Sequence, residues 1–310
     1  MNKSTKPRTN TALYFTTIVA FRRDMAVLGG HLYSDESSPT ATRFMVCLGQ
    51  RWGHLTDLPD VAYAATRRPE NPKAIAIMGR NGLYREITGN NPAVDVQISE
   101  IRSLYLMDIR AIGNTLFTCG VQNRVLKQVG EQWSQSDQGI FAPFTGRVDC
   151  RLESIHGFNT NDIYAAGSGG AIWHFDGKQW SKLDSPTNLN LNVVLCASDG
   201  SVYIGGVKGT LLRGRRDSGW EQIERAKEIR GAVEDLTEFQ GAIYAAATTE
   251  LFRIAEDSVL KVEVEVDGER CFYAVDATTD SLWCVGGEIV LRFDGTTWEQ
   301  FICPENQPRS

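Results

Sequence analysis

The stretch Asp162-Ile-Tyr-Ala-Ala-Gly-Ser-Gly-Gly-Ala-Ile-Trp-His-Phe-Asp-Gly-Lys-Gln-Trp180 decides the fold. It contains a short apolar run, a glycine-rich break, a second apolar run, an Asp-Gly pair and a tryptophan. Short apolar runs bounded by turn residues are typical of buried strands, and Asp-Gly is typical of a tight hairpin. The stretch therefore predicts two antiparallel strands that lead into a third near Trp180.

The same order of features recurs along the chain. It is clearest in residues 281–298 and 201–220, and weaker copies occupy 114–133, 242–254, 75–87 and 25–52. A period of about 40 residues with several short strands per unit is typical of a β-propeller blade. The small residue that ends the first run of each copy recurs every 39 to 50 residues, at Gly29, Gly79, Gly120, Gly167, Gly206, Ala247 and Gly286.

We therefore predict an all-β fold, a seven-bladed β-propeller of four-stranded antiparallel blades. Six blades are the alternative if one of the first two copies is illusory. The propeller domain is expected over residues 13–304, with tails at 1–12 and 305–310. Each blade also needs an innermost strand, for which the candidates are residues 15–21, 61–65, 106–112, 151–155, 192–197, 232–239 and 271–276.

Each part of the repeat has a physical explanation. A blade buries both of its faces only by packing against its two neighbours, which explains continuous apolar runs in place of alternation. The glycine after the run is expected to supply the tight turn into the third strand. Large tryptophan side chains near the start of the fourth strand would cover the gaps between blades. These are Trp52, Trp133, Trp180, Trp220 and Trp298.

The fullest copy resembles a known repeat. Tyr164-Ala-Ala-Gly-Ser-Gly-Gly170, an aliphatic run, Asp176-Gly177 and Trp180 are similar to the bacterial propeller repeats of the BNR/Asp-box and photosystem-assembly-factor-like group. The resemblance implies the fold. An Asp-box carries Ser or Thr two residues before the Asp and a longer spacing to the Trp, whereas this chain has His174 there. The resemblance therefore does not imply sialidase chemistry.

Composition limits the classes of partner. The chain has 310 residues and a formal net charge of −6 at pH 7. The net negative charge argues against nucleic-acid binding, and the sequence contains no long basic stripe that could contact phosphates. The densest basic segment, Arg213-Gly-Arg-Arg216, falls in a predicted hairpin and is expected to be a solvated tip. No apolar stretch is long enough to span a bilayer, so we expect no membrane partner.

Residues 1–23 admit two interpretations. Residues 3–8 include two lysines and one arginine, and the apolar run 12–21 follows them, which together could be a secretory signal. The run is rich in Thr and β-branched residues, Arg22 and Arg23 follow it directly, and it is needed as the first inner strand. We favour the strand. Seven cysteines without a CxxC pair are then expected to be free thiols in a reducing cytoplasm.

The sequence offers little catalytic or metal-binding chemistry. The four histidines form no HxH, HxxxH or HExxH pattern, and neither a GxSxG nor a P-loop motif occurs. We expect no cofactor and no metal, and an enzyme is the less favoured class. Aligning the inner strands places Asp108, Ser154 and Asp235 at one level, with Glu153 adjacent. These residues are expected to line the central channel, either as polar walls or as an acid–base pair.

Propellers usually bind partners through the face that carries the second-to-third-strand turns and the linkers between blades. Two long additions, residues 31–42 and 134–147, break the period and are expected to be loops. The second addition could anchor a partner through its aromatic residues or fold down as a lid. The candidate partner-binding residues are Arg80, Gln122, Arg124, Phe141, Phe144, Lys208 and Glu288.

Three functions remain open from the sequence. The first is a cytoplasmic, non-enzymatic, WD40-like scaffold that binds another protein, in its specific form a bacterial immunity protein that neutralises a toxin. The second is a glycosidase or lyase that uses channel carboxylates. The third is a secreted carbohydrate-binding propeller. The fold alone does not choose among them.

Overall fold

The chain forms a closed ring of sheets. The computed structural model describes residues 12–33, 38–89, 93–98, 105–143, 150–223, 226, 228–255 and 258–306. Within these residues, seven four-stranded sheets each contain strands in chain order, and the first strands contact one another cyclically. The predicted seven-bladed β-propeller is confirmed, and the six-blade alternative is wrong. The tail boundaries at residues 12 and 305 stay predictions.

The first four blades contain strands β1 to β16. Blade 1 comprises β1 (Tyr14–Arg22), β2 (Met25–Tyr33), β3 (Pro39–Leu48) and β4 (Arg51–Leu58). Blade 2 comprises β5 (Ala62–Arg68), β6 (Asn71–Gly79), β7 (Leu83–Thr88) and β8 (Val94–Gln97). Blade 3 comprises β9 (Leu106–Ile112), β10 (Thr115–Gly120), β11 (Val125–Val129) and β12 (Gln132–Gln135). Blade 4 comprises β13 (Leu152–Asn159), β14 (Asp162–Gly167), β15 (Ile172–Phe175) and β16 (Trp180–Leu183).

The last three blades contain strands β17 to β28. Blade 5 comprises β17 (Leu191–Cys196), β18 (Val202–Gly206), β19 (Leu211–Arg215) and β20 (Gly219–Gln222). Blade 6 comprises β21 (Asp235–Phe239), β22 (Ala242–Ala247), β23 (Glu250–Ala255) and β24 (Ser258–Lys261). Blade 7 comprises β25 (Ala274–Ala277), β26 (Leu282–Gly286), β27 (Ile289–Phe293) and β28 (Trp298–Gln300). Short 3-10 turns occupy Ser168–Gly170, Val207–Gly209 and Pro304–Asn306. No helix of the described segments has the length and apolar character needed to cross a membrane.

The hydrophobic core is divided among the blade interfaces. The described buried apolar residues form seven clusters, and each cluster lies between two neighbouring blades. Between blades 1 and 2, for example, Val19 and Phe44 meet Ala62 and Ile77. Because each sheet is covered on both faces, its central strands read as continuous apolar runs. The packing predicted from the repeat is confirmed.

The five repeat tryptophans close these interfaces. Each lies within the first two residues of the fourth strand of its blade and packs on the cluster shared with the preceding blade. Trp180 is the most buried of them, and its indole N–H donates to the Ser136 carbonyl at 2.6 Å. The role predicted for the tryptophans is confirmed.

The repeat glycine serves a purpose different from the predicted one. Gly167 has an extended backbone, with φ of −174°, so it makes no tight turn. A Cβ at this position would collide with the carbonyl oxygen of Arg151. That carbonyl accepts the N–H of Ser168 at 2.8 Å, which requires the linker backbone to pass directly over Gly167. The glycine therefore permits close approach of two backbones.

The ring closes without exchanging strands between its ends. All four strands of blade 7 come from the C-terminal part of the chain, and blade 1 begins with β1. Phe15 N–H donates to the Gly287 carbonyl at 2.7 Å, and the Asn306 side chain bonds both the N–H and the carbonyl of Leu13. Side-chain and backbone hydrogen bonds thus join the ends. The sequence also allows residues 2–12 to supply an extra outer strand; residues 2–11 lie outside the described chain, and residue 12 is in no strand.

The addition in blade 1 is not simply a loop. The β2–β3 hairpin extends through it, with His31 paired to Thr42 and Tyr33 paired to Pro39. The expectation of a loop over 31–42 is therefore wrong for its described part, and residues 34–37 lie outside the described chain. In this blade the second strand continues past Gly29 to Tyr33, whereas in the other six blades the second strand ends at the repeat glycine or alanine.

Candidate partner-binding face and channel

One face of the ring carries two kinds of loop. The turn after β6 bonds the linker before β5 through Arg80 N–H and the Val61 carbonyl, at 2.8 Å. The equivalent bond in blade 5 joins Val207 N–H to the Asn190 carbonyl at 3.0 Å. The second-to-third-strand turns and the blade linkers therefore share one face, which we call the entry face. The other face carries the remaining hairpin turns, and we call it the hairpin face.

A cavity of about 610 Å³ occupies the centre of the ring and is lined by the first strands of all seven blades. Asp108, Glu153 and Asp235, the residues expected in the channel, all line it. Asp108 and Asp235 are largely buried, and Glu153 forms a salt bridge with Arg151 at 2.6 Å. No group of three or more potential metal ligands is assembled among the described residues.

The two channel aspartates are engaged by backbone. Asp108 Oδ2 accepts the hydroxyl of Ser154 at 2.9 Å and the N–H of Ile155 at 3.1 Å. Asp235 accepts the N–H of Leu236 at 2.9 Å and the N–H of Val275 at 3.0 Å. In both cases the aspartate belongs to one blade and accepts an N–H of the next blade.

The same connection recurs around the ring. Val194 N–H donates to Ser154 Oγ at 3.2 Å, Cys196 N–H to His156 Nδ1 at 3.0 Å, and Ala20 N–H to Asp276 Oδ2 at 2.8 Å. A first strand has no neighbour on its channel side, so its inward N–H groups need acceptors from elsewhere. The residues aligned at one level in the sequence, Asp108, Ser154 and Asp235, are these acceptors. Their carboxylates and hydroxyl hold blades together.

Arg110 spans the channel. Its guanidinium lies 3.3 Å from Asp108 on its own strand and 3.6 Å from Asp235 on blade 6. Burial raises the pKa of Asp235 to about 6, although Arg110 and two backbone N–H groups oppose the rise. Burial also lowers the pKa of His156 to about 4, and Arg110 adds to that effect. At neutral pH the channel therefore holds a neutral His156 and a charged Arg110. The guanidinium of Arg110 lies between the side chains of Asp108 and Asp235.

Phe141 lies on a linker segment that is docked on blade 3. Arg124 and Asp137 are both buried and form a salt bridge at 2.8 Å. The Arg124 guanidinium lies 4.2 Å from the centroid of the Phe141 ring, and Phe141 itself is 39% exposed. Arg124 is therefore a support beneath the surface and Phe141 is the part that a partner can reach. Phe144 lies outside the described residues.

The turn that supports this segment is conformationally unusual. Gln122 and Asn123 have positive φ values of 61° and 52°. Ala142 N–H donates to the Gln122 carbonyl at 2.9 Å, and the Asn123 amide donates to the Ile140 carbonyl at 3.2 Å. A left-handed conformation is costly for residues other than glycine, so these bonds must hold the turn in place. Gln122 is half-buried beneath the docked segment.

The remaining predicted residues are spread over the entry face. Lys208 and Glu288 are exposed, on the turns of blades 5 and 7. Arg80 is half-buried, and its guanidinium lies 5.2 Å from the ring centroid of Tyr105. The structure brings Arg80 near Tyr105, and Arg124 near Phe141, but it does not assemble all of the candidates into one cluster.

Sequence reasoning missed three exposed tyrosines on the entry face. Tyr14 and Tyr63 are both 38% exposed, and Tyr105 is 51% exposed. Each lies at the start of a first strand or directly before it. Their place at the beginning of an apolar run was the available signal, because a first strand starts at the entry face.

Comparison with known proteins gives one informative sequence match. The chain is 34% identical over 192 residues to "Immune protein Tsi7" of Pseudomonas aeruginosa. The match covers 61% of this chain and 62% of that protein, so the chain spans less than two thirds of the relative's length. No family model matches the chain.

Solved structures show similarity of fold. YCF48 bound to a D1 peptide superposes with a TM-score of 0.70 at 14% identity, covering 93% of each chain. YCF48 from Cyanidioschyzon merolae gives a TM-score of 0.59 at 16% identity, covering 78% of this chain and 85% of that one. Virginiamycin B lyase from Staphylococcus aureus gives 0.63 at 12% identity, covering 78% and 84%. Identities this low support the fold and leave function open. The photosystem-assembly-factor-like resemblance thus extends to the fold.

Proposed function

We propose that this chain is a bacterial immunity protein, a non-enzymatic propeller that neutralises a toxin by binding it through the entry face. The observation that carries the proposal is the 34% identity over 192 residues to an immune protein. A closed propeller supplies a rigid ring on which loops can present a contact surface.

The channel geometry favours binding over catalysis. A general acid or base must reach a substrate with its proton-carrying oxygen. Asp108 and Asp235 instead accept backbone N–H groups of the neighbouring blades, and both interact with Arg110. These bonds give the carboxylates a structural role, so the glycosidase or lyase alternative has no specific observation in its favour.

The proposed compartment is the cytoplasm, and the proposed partner is a protein. All seven cysteines are free, and Cys47, Cys119, Cys284 and Cys303 are buried. Unpaired thiols are usual where glutathione and thioredoxin keep cysteines reduced. The net charge of −6 would repel nucleic acids and anionic membrane surfaces.

The proposal can be tested in two steps. The tagged chain is purified from its native host, and each protein that co-purifies in stoichiometric amount is expressed alone in a laboratory bacterium. We expect one such protein to arrest growth and co-expression of this chain to restore it. An unrelated propeller of similar size serves as the control. A harmless partner, or growth arrest that this chain does not relieve, would contradict an immunity function.

A further inference from the structure

The exposed aromatic residues share one face. Among the described residues, the large hydrophobic side chains counted as exposed include four aromatics, and all four lie on the entry face. They are Tyr14, Tyr63, Tyr105 and Phe141. The other exposed large side chains are aliphatic, and they lie on third or fourth strands or just after one: Val94, Val129, Leu260 and Ile302. We call the four aromatic residues the aromatic row, since they follow the ring in order from blade 1 to the linker between blades 3 and 4.

Three members of the row rest on a side chain beneath them. Tyr105 stacks on Arg80 at 5.2 Å, Phe141 on Arg124 at 4.2 Å, and Tyr63 meets His31 edge-on at 5.8 Å. The first two pairs are equivalent in the repeat, because each joins a second-to-third-strand turn to the linker that enters the next blade. A supported ring loses little rotamer freedom when a partner covers it, which favours binding.

A second feature of the same face is acidic. The linker from blade 6 to blade 7 alternates apolar and acidic residues, and its four carboxylates are exposed: Glu263, Glu265, Asp267 and Glu269. None of the four forms a salt bridge or a side-chain hydrogen bond with a described residue. Arg270 donates to the Val264 carbonyl at 2.6 Å and does not pair with these carboxylates. We call residues 263–269 the acidic ridge.

The ridge and the row adjoin across the ring closure. Asp267 is fixed at the rim of blade 7 by two hydrogen bonds to the Gln300 side chain, at 2.8 and 2.9 Å. The blade 7 turn carries the exposed Glu288, and its Gly287 carbonyl accepts the N–H of Phe15, the residue after Tyr14. The entry face therefore runs from carboxylates on blades 6 and 7 to aromatics on blades 1 to 3 and the linker that follows blade 3.

We propose that the aromatic row and the acidic ridge form one docking surface for a basic protein. This inference rests on the proposed immunity function and specifies the toxin's contact surface. Aromatic side chains supply most of the binding energy of typical interfaces, and complementary charge steers the encounter. Exposed carboxylates without a salt-bridge partner would repel an acidic partner and favour a surface rich in Lys and Arg.

The contact surface can be mapped by photo-crosslinking in the native host. The photoreactive residue p-benzoylphenylalanine replaces Tyr105 or Phe141 in the full chain, and Val129 on the hairpin face is the control. We expect both entry-face positions to crosslink to the same protein, one of basic isoelectric point, and Val129 to give no such product. The proposal would be overturned if the crosslinked protein is acidic or is a second copy of this chain. It would also be overturned if only the Val129 position gives a product.

Binding kinetics with the purified crosslinked protein test the two halves separately. Tyr105→Ala with Phe141→Ala should weaken affinity about 100-fold or more, mainly through faster dissociation. Glu263→Gln with Glu265→Gln should slow association about threefold at low salt and have little effect near 0.5 M salt. Glu131→Gln with Asp217→Asn, on the hairpin face, changes the net charge equally and should leave both rates unchanged.

Each outcome separates the docking surface from the proposed function. Equal association rates for the two charge variants would overturn the steering role of the ridge. Unchanged affinity of the aromatic variant, while the wild-type chain still relieves growth arrest, would overturn the surface and leave the immunity function standing. Failure of the wild-type chain to bind any growth-arresting protein would overturn both. Thermal unfolding of each variant confirms that it is folded.

Discussion

Asp108 of blade 3 accepts the backbone N–H of Ile155 in blade 4 at 3.1 Å, so one carboxylate joins two blades at the channel wall. The same carboxylate accepts Ser154 Oγ–H and lies 3.3 Å from Arg110. A residue that looks catalytic in the sequence therefore acts as part of the ring. This relationship leads to the first prediction.

Removing this carboxylate should destabilise the protein strongly. Asp108→Ala leaves the Ile155 N–H without its acceptor and Arg110 without its nearest counter-charge, so we expect a loss of about 3 kcal/mol in the free energy of unfolding. Asp108→Asn retains an acceptor oxygen and should cost less. Urea denaturation measures both, and a loss below about 0.5 kcal/mol for Asp108→Ala would contradict the structural role.

The raised pKa of Asp235 predicts a pH effect of defined sign. Its pKa is about 6 in the folded protein against an ordinary value of 3.8 for aspartate, so the folded state holds this proton more tightly than the unfolded chain. Its contribution to stability is therefore greatest below pH 3.8 and falls as the pH rises through 6. The difference in unfolding free energy between wild type and Asp235→Asn should fall by up to about 3 kcal/mol from pH 4 to pH 7. A difference that is constant or grows with pH would contradict it.

The docked segment that carries Phe141 should depend on Asp137. Asp137→Ala leaves the buried Arg124 unpaired, and the segment should open locally. Hydrogen exchange of the Phe141 and Ala142 amides should accelerate about tenfold or more. Lys261→Ala breaks the exposed pair with Glu250 and serves as the control, with a change in stability below about 0.5 kcal/mol. Unchanged exchange in Asp137→Ala would mean that other contacts hold the segment.

Ring closure should depend on Asn306. Its side chain accepts from Leu13 N–H at 2.7 Å and donates to the Leu13 carbonyl at 3.1 Å. Asn306→Ala removes both bonds and should cost about 1–2 kcal/mol, which for a chain of this size lowers Tm by about 2–6 °C. Asn306→Asp keeps only the acceptor and should lie between the two. Calorimetry measures the shift, and an unchanged Tm would show that the Phe15–Gly287 bond and the apolar cluster suffice.

Much of the fold was predictable because it is local and repeated. The apolar runs, the small residue after them and the tryptophan recur in each blade, and the predicted inner strands overlap or adjoin β1, β5, β9, β13, β17, β21 and β25. The closure was not predictable, since it joins residues 293 positions apart through one asparagine. Nor was the length of the first hairpin, because polar residues in 31–42 read as a loop.

The candidate site was predictable only in outline. The entry face and the channel position of Asp108 follow from strand direction, but the bonds of the carboxylate depend on the edge of the next blade. Tyr63 falls within a predicted inner strand and Tyr105 directly precedes one, and both are exposed because they lie where a first strand begins at the entry face. Arg124 read as a surface residue, yet burial beneath Phe141 and pairing with Asp137 make it a support.

The most direct test of the account measures growth of bacteria that express the co-purified toxin together with variants of this chain. We predict that wild type, Val129→Ala and Asp235→Asn restore growth equally, since the channel carboxylate takes no part in binding. Tyr105→Ala with Phe141→Ala should fail to restore growth although the protein is folded. Loss of protection by Asp235→Asn with unchanged toxin affinity would contradict the account and point to catalysis in the channel.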